Sequence, residues 1–421
     1  MKERGVVRVP GDKSISHRAL ILASLATGES QIEGILDSAD VRSTAGVLRA
    51  LGAPIPELSP GFSVTGLGLH GLKSPDVTLY AGNSGTTVRL MAGVVAACRF
   101  SSRFEGDASL SRRPMKRIAE PLREMGAQFT FENGEDGLPM TVHGGNLSGI
   151  AWNTRASSGQ TKSCILLAGL VAGVHVTVIE SRKSRDHTER MLISLGVPVS
   201  VDDLSASLLP VESLSPLELT VPGDPSSAAY IIAFGVLQTE GEVRILDVCM
   251  NPTRIGFIQT IMDMGGDIEI TDRKAIAGDE VATLVVRPSM LHETKIDVDR
   301  IPSMIDELPL LACVAAGARV RLEVREAAEL RVKESDRIST VVSNLKRVGA
   351  DVEELPDGFV VKPGNSVLAG DVITEGDHRI AMSFGVLAAL GKNSINIDDR
   401  DCVAVSYPRF WADLESIRQT R

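Results

Sequence analysis

The stretch VPGDKSISHRALI, residues 9–21, returns in altered form as VPGDPSSAAYII at residues 221–232. The copies start 212 residues apart (221 − 9), about half of a 421-residue chain. Only the first carries the basic residues Lys13, His17 and Arg18. A phrase repeated at half-chain spacing predicts two corresponding halves. The unequal charge of the copies predicts that the halves do different work.

Around these anchors the chain is periodic. Six segments open on small polar residues and run into apolar, helix-like sequence: KSISHRALILASLATG (13–28), NSGTTVRLMAGVVAA (83–97), SSGQTKSCILLAGLVAG (157–173), PSSAAYIIAFGVL (225–237), SMIDELPLLACVAAG (303–317) and DHRIAMSFGVLAALG (377–391). Their starts are separated by 70, 74, 68, 78 and 74 residues. A second series, RSTAGVLRALGA, RPMKRIAEPLREMGA, DHTERMLISLGV, TRIGFIQTIMDMGGD and SDRISTVVSNLKRVGAD, has apolar residues at helical spacing. Each member ends in a glycine suited to a left-handed helix cap, followed by a short strand: APIP, AQFTF, VPVSV, DIEI or ADVEE. PRFWADLESIRQT reads as a truncated sixth member. With the β-rich pieces between them, the unit is βαβαββ, repeated six times, three on each side of Pro222. This predicts an α/β protein of two pseudo-symmetric domains with a ligand cleft between them.

Composition narrows the partners. A net charge of −10 argues against a broad nucleic-acid surface, though a cleft can still concentrate positive charge. Aromatic residues are only 4% of the chain, so base stacking is not the expected mode of recognition. The five cysteines (98, 164, 249, 313 and 402) show no CxxC and are expected as buried free thiols. MKERGVVRVPGDK contains no apolar leader, and CILLAGLVAGVHVTVI is broken by glycines and His175. Neither a membrane span nor an export signal is expected, which places the protein in the cytoplasm.

Helix starts are natural anion sites, because their N–H groups are unpaired and the dipole is positive there. Lys13 stands at one such start, with Ser14 and Arg18 four apart; Gly85 and Arg89 repeat the spacing, as do Ser158 and Lys162. GDASLSRRPMKR adds Arg112, Arg113, Lys116 and Arg117. The second half offers carboxylates instead. Asp306 and Glu307 interrupt an apolar segment, where they must find partners or shift their pKa. RVKESDR places Lys333 and Arg337 four apart on an expected helical face beside Glu334, and DHRIAM opens a helix with His378 and Arg379.

Other chemistries fail on spacing. GDKS has Asp12 where a phosphate-binding P-loop needs glycine, the seven histidines form no HxxxH or HExxH pattern, and there is no GxSxG elbow. No metal is expected.

Taken in order, VPGDKSISHR, GNSGTTVR, GDASLSRRPM, SGQTKS, SRDHTERM, VPGDPSSAA, IDELPLLA, LRVKESDR and DHRIAMSF closely resemble the 5-enolpyruvylshikimate-3-phosphate synthases, across nearly the whole chain. SGQTKS, RDHTE and NPTR resemble the second class of that family more than the plant-like first. The resemblance implies the enolpyruvyl transferase fold, a two-domain inside-out α/β barrel. Its N-terminal lobe would span 11–222, and its C-terminal lobe 1–10 plus 223–421, with hinges near 10–13 and 221–224 that allow closure on substrate. It implies transfer of the enolpyruvyl group of phosphoenolpyruvate to the 5-hydroxyl of shikimate 3-phosphate, through a tetrahedral intermediate and without a cofactor. It assigns shikimate 3-phosphate to Lys13, Ser14, Arg18, Ser157, Ser158, Gln160, Arg185, Asp306 and Lys333. It assigns phosphoenolpyruvate to Lys13, Gly85, Arg113, Gln160, Arg337 and Arg379, where glyphosate would compete. Asp306, Lys13 and Glu334 would be catalytic, and a monomer is expected.

Two positions depart from the family. Many members have Ser where this chain has Gly159, and a C-terminal Lys of the first class aligns with Val405. The same fold acting on a UDP-sugar is the nearest rival, but that enzyme has a reactive Cys in the loop that here reads GDASLSRRPM. RNA 3′-phosphate cyclase would need a nucleotide site and a nucleophilic His. A binding protein without activity would not require both Asp306 and Glu334.

Overall fold

The computed structural model describes residues 3–155, 157–276 and 278–418. The chain divides into two compact units, one of residues 11–221 with 276–279, the other of residues 1–10, 222–275 and 280–421.

The first unit is built on four helices that position functional groups: α1 (Lys13–Leu25), α2 (Gly85–Ala96), α3 (Gly159–Ala172) and α4 (His187–Ser194). Two repeats are complete. Strand Leu79–Tyr80, α2, strand Ser101–Glu105, helix Lys116–Met125 and strands Gln128–Phe131 and Met140–His143 form one βαβαββ set. Its first strand pair is parallel and the others antiparallel. Ile150–Asn153, α3, Val176–Ile179, α4, Val199–Val201 and Ser205–Leu208 form the next, with the same pattern. The set containing α1 obtains its leading strand from far along the chain: Glu218–Thr220 runs parallel to Thr27–Glu33, with Leu219 opposite Ile32. In this set the expected strand APIP is absent, and the antiparallel partner of Thr27–Glu33 is Gly61–Leu67. Pro54 and Pro56 deny two N–H donors within four residues, so that segment cannot sustain a ladder.

The second unit mirrors this exchange. Four of its helices matter for the site: α5 (Pro225–Leu237), α6 (Leu308–Ala318), α7 (Arg337–Arg347) and α8 (His378–Ala389). The N-terminal strand Glu3–Val7 runs parallel to Glu242–Cys249, placing Val7 opposite Ile245, and so leads the set containing α5. The remaining sets have fewer strands. One sheet holds Leu322–Val324, Gly358–Val361 and Val352–Leu355; another pairs Ala369–Val372 with Ser394–Ile397. The helical run Val298–Ala318 has the length and composition of a membrane span but is 72% buried in the protein. It behaves as a core helix.

Local chemistry explains the helix ends. The five glycines closing the second helical series, Gly52, Gly126, Gly196, Gly265 and Gly349, all have positive φ, a conformation that a Cβ penalises. At Gly93, α2 approaches α3 so closely that a Cβ would lie 2.2 Å from the carbonyl oxygen of Cys164. That backbone contact fixes two of the first unit's helices side by side. In the second unit α5 is buried on every side, with Tyr230, Ile231, Ile232 and Phe234 inaccessible. Each such side chain stabilises the fold by about 1.5–3 kcal/mol relative to exposure. Four cysteines are buried and Cys402 is half-buried; all five are free thiols.

Candidate active site

Two side-chain constellations, one in each unit, contain every residue expected to handle substrate. In the first, three helix N-termini are prepared by their caps. Asp12 accepts from the Ile15 amide at 2.8 Å and starts α1, so the aspartate that excludes a P-loop serves as its N-cap. Ser84 and Ser158 cap α2 and α3, accepting from the amides of Thr87 and Thr161, both at 3.3 Å. A serine that caps through its oxygen keeps its hydroxyl proton for another acceptor.

The cations are held around these termini. Lys13 pairs with Asp40 at 3.0 Å. Arg18 is buried and donates to the Ser14 carbonyl (2.8 Å), Ser163 Oγ (2.6 Å) and Thr188 Oγ1 (2.7 Å). Arg89 donates to Gln160 Oε1 at 2.6 Å, while Gln160 Nε2 donates to Thr86 Oγ1 at 2.9 Å. The first turns of α2 and α3 are thereby joined through the amide of Gln160. A Cβ at Gly85 would stand 3.2 Å from Arg89 Nη1 and 3.6 Å from Arg113 Nη1, so Gly85, Arg89 and Arg113 surround one spot. Arg113 is itself buried and donates to Asn83 Oδ1 at 2.5 Å. Arg185 lies on the segment leading into α4, and its backbone packs against Gly159: a Cβ there would meet Arg185 O at 3.1 Å.

Three sequence expectations change here. Ser157 donates its one hydroxyl proton to the Arg182 carbonyl at 2.6 Å, so it pins the 180–186 segment and Ser158 is the better donor to an anion. Lys162 does not join the cations around these termini: it is buried between Glu180 and Glu189, at 2.6 and 2.8 Å. His17 is buried beside Thr44, with Nδ1 2.6 Å from the hydroxyl. Burial first, then the charges of Lys13 and Arg18, hold its pKa well below the ordinary histidine value. It is a neutral core residue and adds no positive charge.

In the second unit the constellation is an ion network. Asp306 occupies a 3₁₀ turn, Ile305–Glu307, just before α6, where Pro309 takes a position needing no N–H. Arg337 begins α7, is buried, and reaches Asp306 (3.1 Å), Glu334 (2.5 Å) and Asp377 (2.8 Å). Burial opposes its charge, but the three carboxylates prevail and raise its pKa. Lys333 also meets Asp306, at 3.5 Å. The expected shared helical face of Lys333 and Arg337 is not formed, because Asp336 caps the helix at Arg337 and Lys333 ends the preceding 3₁₀ turn. Their common partner Asp306 brings them together instead. Arg379, in the first turn of α8, is buried and faces Glu307 at 3.5 Å. Asp377 both caps α8, accepting from the Arg379 amide at 2.9 Å, and braces Arg337.

Several participants were missed in the sequence. Asp40 in LDSADVRS carries no motif signal. Arg89 and Glu307 were singled out by spacing and by their apolar surroundings but were assigned to neither substrate. Asp377 was legible only as a helix cap. Val405, at the end of the 3₁₀ turn Asp401–Val405, is apolar and half-buried. Among the described residues, no three or more His, Cys, Asp or Glu side chains form a group that could hold a metal ion.

Comparison with known proteins accounts for this combination of groups. The family described as EPSP synthase (3-phosphoshikimate 1-carboxyvinyltransferase) matches residues 2–414. The 3-phosphoshikimate 1-carboxyvinyltransferase of Sulfurihydrogenibium sp. is 44% identical over 417 residues, covering 98% of this chain and 97% of that protein. The one from Synechococcus sp. is 46% identical over 420 residues, covering 98% and 94%. An EPSP synthase structure from Acinetobacter baumannii superimposes with a TM-score of 0.86 at 38% identity, covering 98% of this chain and 95% of that one. The enolpyruvyl transferase NikO from Streptomyces tendae shares the fold, with a TM-score of 0.73 at 18% identity, covering 98% and 94%. The chain belongs to the EPSP synthase family, the 3-phosphoshikimate 1-carboxyvinyltransferases.

Proposed function

We propose that the protein joins the carboxyvinyl group of phosphoenolpyruvate to the 5-hydroxyl of shikimate 3-phosphate and releases phosphate, by addition and then elimination. One observation carries the proton chemistry: Asp306 and Glu334, the two carboxylates the reaction needs, share the buried Arg337 guanidinium at 3.1 and 2.5 Å.

In the addition step Asp306 accepts the proton of the 5-hydroxyl, whose oxygen bonds to C2 of phosphoenolpyruvate while C3 gains a proton. In the elimination step a C3 proton leaves, the C2–O bond to phosphate breaks and the double bond is restored. Glu334 and Lys13 handle the protons at C3 and at the departing phosphate. No phosphorus–oxygen bond is cut, so fixed cations suffice to stabilise the developing charge.

The binding groups divide by substrate. Ser158, Gln160 and Arg185 hold the phosphorylated sugar acid with Lys13, Ser14 and Arg18, while Asp306 and Lys333 meet its hydroxyls. Phosphoenolpyruvate is taken by Lys13, Gly85, Arg113, Gln160, Arg337 and Arg379. Gly85 leaves room because any Cβ would crowd the Arg89 guanidinium, 3.2 Å away. Arg113, Arg337 and Arg379 compensate for the apolar Val405.

The test is phosphate release from the purified protein given both substrates. Wild-type protein should release one phosphate per product formed. Asp306→Ala should still bind shikimate 3-phosphate but turn over about 10²–10⁴-fold more slowly. Near-normal turnover would remove Asp306 from the mechanism, and an inactive wild type would remove the proposal.

A further inference from the structure

The motifs SGQTKS and SRDHTERM contain charged residues that substrate binding does not use. Lys162 sits one helical turn into α3, and its ammonium is buried with only 3% of the side chain exposed. It lies 2.6 Å from Glu180 Oε2 and 2.8 Å from Glu189 Oε1, whose side chains are 4% and 1% exposed. Glu180 follows the strand Val176–Ile179, and Glu189 lies in the first turn of α4. A single buried cation therefore ties three elements together.

Packing alone does not explain this triad. Two carboxylates and one ammonium lose their hydration in the interior, and apolar residues of similar size would often be at least as stable. What the triad supplies is position. Glu180 also takes Ser184, which donates to it through both its hydroxyl and its amide. That shapes the 180–186 segment into a turn immediately before Arg185. The same segment is held from the other side by Ser157, which donates to the Arg182 carbonyl at 2.6 Å. Arg185 itself packs on Gly159, with only 3.1 Å between its carbonyl and a Cβ at that position. Two residues beyond the segment, the remainder of the motif continues the scaffold: Thr188 donates to Ser163 Oγ at 2.7 Å, and both hydroxyls take Arg18. The Lys162, Ser157 and Thr188 links join the start of α3 to the residues that precede or begin α4.

We propose that Lys162, Glu180 and Glu189 are positioning residues that lock the Arg185 segment against the N-terminus of α3, and so set the affinity for the phosphate of shikimate 3-phosphate without touching it. Burial opposes the ammonium, but Glu189 and then Glu180 outweigh it and hold Lys162 above the ordinary lysine value, so it stays charged. Burial raises the Glu189 pKa despite the neighbouring Lys162. The inference rests on the substrate assignment proposed above.

Steady-state kinetics with each substrate varied in turn separates the two readings. Wild-type turnover of shikimate 3-phosphate with phosphoenolpyruvate tests the assignment; the variants test the lock. Lys162→Met should raise KM for shikimate 3-phosphate at least tenfold, leaving kcat within threefold and KM for phosphoenolpyruvate within twofold. Ser184→Ala keeps the ion triad and removes one anchoring hydroxyl, and should raise the same KM about threefold with the same selectivity. General loosening would move both KM values together, and that result, or an unchanged KM for shikimate 3-phosphate in Ser184→Ala, overturns the inference. If Lys162→Met does not fold, Ser184→Ala decides alone.

Discussion

The two VPGD copies end in the same structural element and surround it with opposite electrostatics. Both aspartates cap a helix, Asp12 through the Ile15 amide and Asp224 through the Ser226 amide, each at 2.8 Å. At the spacing of 212, Arg18 corresponds to Tyr230. Arg18 donates to two hydroxyls and a carbonyl, all neutral. Tyr230 is wholly buried, and burial pushes its phenol up to about 12. Arg254 attends the second copy, paired with the capping Asp224 at 2.9 Å, and the buried Arg379 acts on Tyr230 and Asp224 as well. The contrast extends outward. Arg89 leans on Gln160 and the Pro114 carbonyl, whereas Arg337 is ringed by Asp306, Glu334 and Asp377. A cation held by neutral dipoles retains its attraction for an anion. A cation held by carboxylates fixes those carboxylates in place. The first arrangement suits binding and the second suits proton transfer.

The largest effect should come from breaking the carboxylate ring. Arg337→Met leaves Asp306, Glu334 and Asp377 clustered without their central charge, and should destabilise the protein by about 3–5 kcal/mol in urea titration. Arg18→Met removes the donors to the Ser14 carbonyl, Ser163 Oγ and Thr188 Oγ1, and those two hydroxyls already bond each other at 2.7 Å. It should cost about 1 kcal/mol while sharply weakening substrate binding. Comparable destabilisation by the two variants would dissolve the distinction between the halves.

A pH experiment sharpens the contrast at His17, whose position corresponds to Ala229 in the second copy. The folded protein keeps His17 neutral through burial and the adjacent Lys13 and Arg18. In the unfolded chain it titrates near the ordinary value of about 6.5. Below that pH the unfolded state binds a proton that the folded state refuses. The His17 contribution is therefore complete above pH 6.5 and is lost as pH falls toward the depressed folded value, by up to about 1.4 kcal/mol per pH unit. His17→Gln should remove this component. The check is the difference in urea stability between the two proteins at pH 7.5 and 5.5; equal slopes would mean that His17 accepts a proton in place.

What could be read from the sequence was what has a period. Helices recurring every 68–78 residues revealed the repeat, and the closing glycines revealed the left-handed caps. What has no period was lost. Spacing placed Lys333 and Arg337 on one helix face, but a single capping residue, Asp336, starts the helix between them. Spacing likewise offered Lys162 as a cation for an anion site, since nothing local shows that Glu180 and Glu189 fold back onto it. Long-range partners decide whether a charge faces solvent, a ligand or another charge. The site was legible as a set of residue types at helix starts; which of them brace the others was not.

The smallest predicted effect concerns Gly159, where the family resemblance leads to an expectation of serine. Its backbone has no positive φ, so conformational freedom does not require glycine. Only space does: a Cβ would meet Arg185 O at 3.1 Å and Arg185 Cβ at 3.2 Å, so the segment must give by a few tenths of an ångström. If the 180–186 segment is locked by Ser157, Ser184 and the buried triad, it resists that shift. Gly159→Ser should then cost about 1 kcal/mol and raise KM for shikimate 3-phosphate two- to threefold, despite the added hydroxyl. If the segment yields, the hydroxyl becomes another donor at the start of α3 and KM falls. The direction of this modest change therefore reports the stiffness of the binding half, which the large effects elsewhere cannot resolve.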